Sequence, residues 1–206
     1  MTDVLAAVAA ERTELAAVLR ELSADDWDRM TLCEGWRVRE LVAHIVMPYR
    51  YSTLRVVAEL LRSRGNFQRM ADRTARADAA ELTPEQLVRT LEDNIHHLWK
   101  PPGSGYDAAL SHDVIHGLDL TIALGIDRQV PLDRLGLVLA GTTPKHLKYF
   151  GVNLDGVQLR ATDLDWTFGT GRPVTGSAQD LLMVICGRTL PAGHLAGPDA
   201  ERFTTA

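Results

Sequence analysis

Ser111-His112-Asp113-Val114-Ile115-His116-Gly117-Leu118-Asp119-Leu120 places two histidines four residues apart. The run around them reads as a helix from about Tyr106 to Leu124, with Gly125 to end it. On a helix this spacing stacks His112 and His116 on one face, one turn apart, near enough to ligate a single ion. His44, in Leu41-Val42-Ala43-His44-Ile45-Val46, is a third candidate on another amphipathic stretch. A pair from one helix and a single residue from a second is how helical bundles build an open three-ligand site. Paired histidines also occur on ordinary helix surfaces, so the spacing alone leaves both readings open. His96 and His97 are adjacent and point about 100° apart, which does not suit one ion. His146 and His194 read as surface residues.

Working outward, residues 2–22 repeat Val4, Leu5, Val8, Leu15, Val18, Leu19 and Leu22 on one helical face, with Thr2 as an N-cap. A second helix from about Val38 carries Val38, Leu41, Val42, Ile45 and Val46, with Pro48 as a kink or boundary. Its pattern resumes through Leu54, Val57, Ala58 and Leu61. Residues 63–82 are charged and alanine-rich, and read as a long loop or irregular helix. Thr83-Pro84-Glu85-Gln86 is a helix start, expected to run to about Trp99 before Lys100-Pro101-Pro102-Gly103. Four long amphipathic helices imply a four-helix bundle.

Another helix is expected over about Leu132 to Phe150, interrupted near Pro144. Val157-Gln158-Leu159-Arg160-Ala161-Thr162-Asp163 then alternates as a half-buried strand does, and Asp165 to Gly169 reads as a second strand with a turn after it. Ser177 caps a last helix expected to reach Leu190, and the tail reads as coil or a short strand. The fold is thus expected to be mainly α, a helical bundle over residues 1–152 followed by a small α+β domain over 153–206.

At 206 residues and a net charge of −5, the chain has no basic stripe of the kind that binds nucleic acid. The start has no basic n-region, and no apolar run approaches the ~20 residues of a membrane helix. A cytoplasmic protein without a nucleic-acid or membrane partner, monomeric or homodimeric, is expected. Of the two cysteines, Cys186 lies in an apolar run and reads as a buried small hydrophobe. Cys33 precedes Glu34-Gly35-Trp36 in a turn, as a packed or surface thiol or, in the alternative reading, a reactive thiol near the site.

The stretch Cys33-Glu34-Gly35-Trp36-Arg37-Val38-Arg39-Glu40-Leu41-Val42-Ala43-His44 resembles the N-terminal motif of the mycothiol-dependent maleylpyruvate isomerase family, within the DinB-like superfamily. His112 to Leu120 resembles its later histidine motif, and Arg160 to Trp166 with Gly176 and Leu181-Leu182 resembles its small second domain. The resemblance implies a DinB-like four-helix bundle holding a divalent metal, zinc first and nickel or another ion next, through His44, His112 and His116. Many isomerases carry glutamate where His112 stands. That departure makes the site three histidines and one charge more positive, and loosens the link to the isomerases' own reaction. The resemblance also implies mycothiol or a similar thiol as cosubstrate, a small-molecule electrophile as partner, and Arg73 or Arg76 as a substrate clamp. Asp119, three residues after His116, is placed to hold a ligand imidazole.

Three imidazoles leave a tetrahedral ion one open position, and an ion there acidifies a thiol or a water. The expected activity is a metal-dependent thiol S-transferase or isomerase. The rival readings are a hydrolase using metal-activated water and a non-catalytic metal- or ligand-binding module.

Overall fold

A computed structural model describes residues 3–205, in two compact units, 3–109 and 110–205. Both are built mainly from helices, and the second adds a small sheet. The division falls inside a helix, well before the change of sequence pattern near residue 152. Thr2, the expected N-cap, lies outside the described residues.

In the first unit, α1 (Val4–Arg20) opens on Asp3, whose carboxylate accepts from the Leu5 N–H at 2.9 Å. Helix α2 (Val38–Arg50) begins where the Arg37 N–H donates to the Glu40 carboxylate at 2.9 Å, and it runs through Pro48 to Arg50. After α3 (Thr53–Arg62) comes α4 (Phe67–Glu81), a regular helix where the sequence suggested a loop or an irregular one. Its buried stripe is Met70, Ala71, Thr74, Ala75, Asp78 and Ala79, spaced as a helix requires but nearly without large apolar side chains. Those small residues let α4 pack closely on α2. Asn66 caps it, accepting from the Arg69 N–H at 2.8 Å.

Helix α5 (Pro84–Glu92) starts as expected, with a reciprocal capping box between Thr83 and Gln86. It stops about two turns short of Trp99. The reason is Arg12, fully buried on α1, whose guanidinium donates to the carbonyls of Asn94 (3.4 Å), Ile95 (3.3 Å) and His97 (2.7 Å). A cation at a helix C-terminus satisfies the carbonyls that another helical turn would have used. Leu15, Leu19, Leu41, Ile45, Met70, Leu87 and Leu91 fill the core of this unit.

Asp78 is a buried carboxylate in that core. The Tyr51 hydroxyl donates to it at 3.1 Å and Arg50 pairs with it at 2.6 Å, tying the end of α2 to α4. Burial first, and then the neighbouring Asp78 charge, push the Tyr51 phenol above its ordinary value.

The second unit holds most of α6 (Tyr106–Leu124), followed by α7 (Leu132–Ala140) and α8 (Pro144–Phe150). The expected break at Pro144 is the start of α8, with Thr143 before it. A four-stranded sheet follows in the order β2-β1-β3-β4: β1 (Val157–Ala161), β2 (Thr167–Gly169), β3 (Arg172–Gly176) and β4 (Leu195–Ala196). Strand β1 pairs antiparallel with β2 and parallel with β3, with buried Leu159 opposite buried Val174. Strand β3 is absent from the sequence reading because it contains Pro173, which breaks the alternation, and follows the turn at Gly171 directly.

Helix α9 (Ala178–Ile185) packs on the sheet and on α7 and α8. It ends before the expected Leu190. Gly187, in the left-handed region at φ 74°, donates to the Val184 carbonyl at 3.0 Å, and the Arg188 N–H reaches back to Met183 at 3.0 Å. This is a Schellman closure, and it fixes the direction in which Arg188 leaves the helix.

Two substitutions test these supports. Asp78→Ala leaves Arg50 and Tyr51 without their acceptor, and urea unfolding should show a loss of about 3 kcal/mol. Gly187→Ala should cost about 1–2 kcal/mol from the left-handed backbone alone, and more because its Cβ would lie 2.8 Å from the Phe150 carbonyl oxygen. Gly193→Ala, also left-handed but with nothing within 4 Å, should show only the backbone cost.

Candidate metal centre

On α6, the His112 and His116 rings lie edge to face with centroids 4.7 Å apart. Each uses Nδ1 on a carboxylate: His112 on Asp113 Oδ1 at 2.9 Å, His116 on Asp119 Oδ2 at 3.0 Å. Both aspartates are fully buried. Ionised carboxylates only accept, so this geometry assigns the proton to Nδ1 and leaves Nε2 with its lone pair. A carboxylate behind the imidazole is the usual support of a metal-ligating histidine, fixing both tautomer and ring orientation.

Asp119 is itself held by Arg188, whose Nε donates to Oδ1 at 2.6 Å and Nη2 to Oδ2 at 2.9 Å. Burial raises the Asp119 carboxyl, but the hydrogen bonds from Arg188 and His116 outweigh it, and the group lies below the usual carboxylate range. Burial lowers His116, against the pull of Asp119, so the ring is neutral at physiological pH. Beside this pair, desolvation pushes the Cys186 thiol up to about 12, as befits a buried packing residue.

His44 is buried on α2, with the Trp36 ring 4.9 Å from its own, centroid to centroid. Trp36 is fixed by the turn that carries it. The Thr31 N–H and hydroxyl donate to the Trp36 carbonyl at 3.0 and 2.9 Å, and the indole N–H donates to Asp72 at 2.9 Å. Each of His44, His112 and His116 offers one ring nitrogen, and these three atoms lie within 4.8 Å of one another.

Three of the four remaining histidines are occupied elsewhere, and His96 is exposed. His97 lies against Tyr49, His146 accepts from the Thr143 N–H at 3.2 Å, and His194 meets Asp180 at 2.8 Å. Arg73 pairs with Glu59 and reaches its carbonyl at 3.1 Å. Arg76 donates to Asp72 at 2.9 Å and to the Gly35 carbonyl at 2.9 Å. Both arginines thus brace the scaffold around α3, α4 and the Gly35-Trp36 turn. Asp113 and Arg188 were not singled out from the sequence. Asp113 adjoins a candidate ligand, which is a signal in itself, whereas Arg188 is 69 residues from Asp119 and gave none.

The sequence of residues 8–100 matches the family described as the mycothiol maleylpyruvate isomerase N-terminal domain. Residues 8–100 carry that domain. It contains His44, Arg73 and Arg76, and ends before α6. Two uncharacterized proteins of Mycobacterium tuberculosis, one from strain CDC 1551 / Oshkosh and one from strain ATCC 25618 / H37Rv, are each 26% identical over 233 aligned residues, covering 95% of this chain and 90% of their own. Among solved structures, mycothiol-dependent maleylpyruvate isomerase has the same fold. Its histidine-to-alanine mutant superposes with a TM-score of 0.62 and the unmutated protein with 0.58, each at 15% identity and covering 96% of this chain and 92% of the isomerase.

The two thiols give a direct test of the burial described here. Iodoacetamide near pH 8 should label partly exposed Cys33 in the folded protein and leave Cys186 untouched until denaturant is added, because only the thiolate reacts. Peptide mapping by mass spectrometry reads the order of labelling.

Proposed function

We propose that this protein is a thiol-dependent enzyme of the mycothiol-dependent maleylpyruvate isomerase type, holding a divalent metal through His44, His112 and His116. The observation that carries the reading is the donor set itself. Three imidazole nitrogens lie within 4.8 Å of one another, and two of the rings are oriented by buried carboxylates. Neutral nitrogen donors with their second nitrogen tied to a carboxylate suit zinc or a neighbouring first-row ion. When bound, such an ion supplies the positive charge that keeps a thiol ionised near neutral pH.

The chain's own residues set the conditions for that chemistry. Asp113 and Asp119 hold the proton on Nδ1 of His112 and His116 and keep each Nε2 available. Arg188 keeps Asp119 ionised and in place. Trp36 packs against the His44 ring and limits its rotation. The domain carried by residues 8–100 favours mycothiol, or a low-molecular-weight thiol like it, as the nucleophile. Its sulfur would bond to an electrophilic carbon of a small molecule. Loss of a leaving group with its electron pair gives an S-conjugate; expulsion of the same thiol after bond rotation gives an isomerised double bond. With His112 adding no negative charge to the donor set, an anionic sulfur is favoured over a neutral ligand. A substrate carboxylate reaching Arg73 or Arg76 must compete with Glu59 or Asp72, so those arginines act here as scaffold.

Metal analysis of the purified protein should find a single divalent ion per chain, lost in His44→Ala, His112→Ala and His116→Ala variants that keep their helical circular dichroism. Conjugation of mycothiol to a halogenated aromatic acceptor should require that ion and stop with a chelator. A protein that binds no metal, or conjugates equally well without it, overturns the proposal. Metal-dependent ester or amide hydrolysis without thiol would establish the hydrolase instead.

A further inference from the structure

The segment from Arg50 to Asp78 departs from the rest of the chain in charge and in exposure. It holds seven arginines against three acids, in a protein whose net charge is −5. The acids do not cancel them. Glu59 is shared by Arg62 and Arg73, Asp78 by Arg50 and Arg55, and Asp72 pairs with Arg76. Arg64 and Arg69 lie at the exposed tip between α3 and α4.

The same hairpin presents apolar side chains to solvent. Leu54 is 83% exposed, Leu61 73%, Phe67 53% and Val57 49%. Leu54, Val57 and Leu61, with exposed Ala58, fall on one face of α3 at helical spacing. Single exposed leucines need no explanation; a helical stripe of them flanked by arginines does. Arg64 also holds a left-handed backbone, φ 55°, where glycine would fit without strain. The stability of the turn does not explain an arginine there.

We propose that the outer face of α3 and the α3–α4 tip form a surface for docking onto an anionic lipid layer. The apolar stripe would enter the headgroup boundary, and the arginines would pair with lipid phosphates. No helix among the described residues is long and apolar enough to cross a membrane. Adsorption needs only an amphipathic face with a cationic border, so the sequence expectation of no membrane partner, which rests on spanning length, does not bear on it. A second copy of the chain fits the face poorly. Antiparallel pairing of α3 with itself brings two arginine-bordered faces together, and the acids beside Arg55 and Arg62, Asp78 and Glu59, are already shared with Arg50 and Arg73. The stripe also forms a ridge of highly exposed side chains around a turn, which suits a soft, negatively charged layer. This inference does not depend on the proposed metal chemistry.

The test is co-sedimentation of the full-length protein with vesicles of pure phosphatidylcholine and with vesicles of phosphatidylcholine and phosphatidylglycerol in equal parts. Binding is expected only to the mixed vesicles, weakening by about fivefold for each arginine removed from the tip and falling in high salt. Leu61→Asp should abolish it with circular dichroism unchanged. Arg64→Gly should weaken it while raising thermal stability, because strain leaves with the charge. No binding to the mixed vesicles, or equal binding to both kinds, overturns the proposal. So does binding indifferent to Leu61→Asp. A dimer in analytical ultracentrifugation that Leu61→Asp dissolves would show that a second copy covers this face, and would also overturn it.

Discussion

A carboxylate with no access to water, Asp119, lies between Arg188 and His116 and sets the character of the second unit. An isolated charge there would be costly enough to protonate the group or unfold its surroundings. The two-pronged guanidinium offsets that cost and leaves the carboxylate able to hold the His116 proton on Nδ1. The ring then has one orientation and one tautomer before any ligand arrives. Asp113 gives His112 the same constraint from the adjoining position. Arg188 reaches Asp119 because α9 ends in the Schellman turn at Gly187, so a backbone choice at one glycine is linked to the protonation state of a histidine on another helix.

The first unit also ties its helices with acid–arginine pairs, Asp78 and Glu59 being buried and Asp72 half exposed. Asp78 joins α2 to α4, Glu59 joins α3 to α4, and Asp72 with Arg76 clamps the Gly35-Trp36 turn beside which His44 lies. These pairs substitute for the large apolar side chains that α4 lacks. They also explain why Arg73 and Arg76, read from the sequence as substrate ligands, are engaged with the protein itself. An arginine-rich stretch looks alike in sequence whether its charges face a substrate, a core carboxylate or solvent.

What the sequence revealed followed from local rules. The bounds of α6, the Thr83-Pro84 start of α5, the break at Pro144 and the alternation of β1 each depend on residues within a turn or two of one another. What it concealed depended on distant partners. Helix α4 was obscured because its buried face is alanine, threonine and aspartate, residues that register as core only once α2 is seen against them. Helix α5 was read too long because Arg12, far back on α1, captures the carbonyls that would have continued it. Strand β3 was hidden by Pro173, which a sheet tolerates only in a suitable register.

The sequence by itself therefore determined that His112 and His116 share a helical face, since that follows from spacing on a helix, and that His44 lies on an apolar helix behind a Gly-Trp turn. Tertiary structure alone decided that these imidazoles gather within 4.8 Å, that the tautomers of His112 and His116 are set by two buried aspartates, and that one aspartate is held by an arginine 69 residues away. The physical reason is range. Helical periodicity is written into neighbouring residues, whereas the pairing of buried charges exists only after the chain has folded and excluded water from between them.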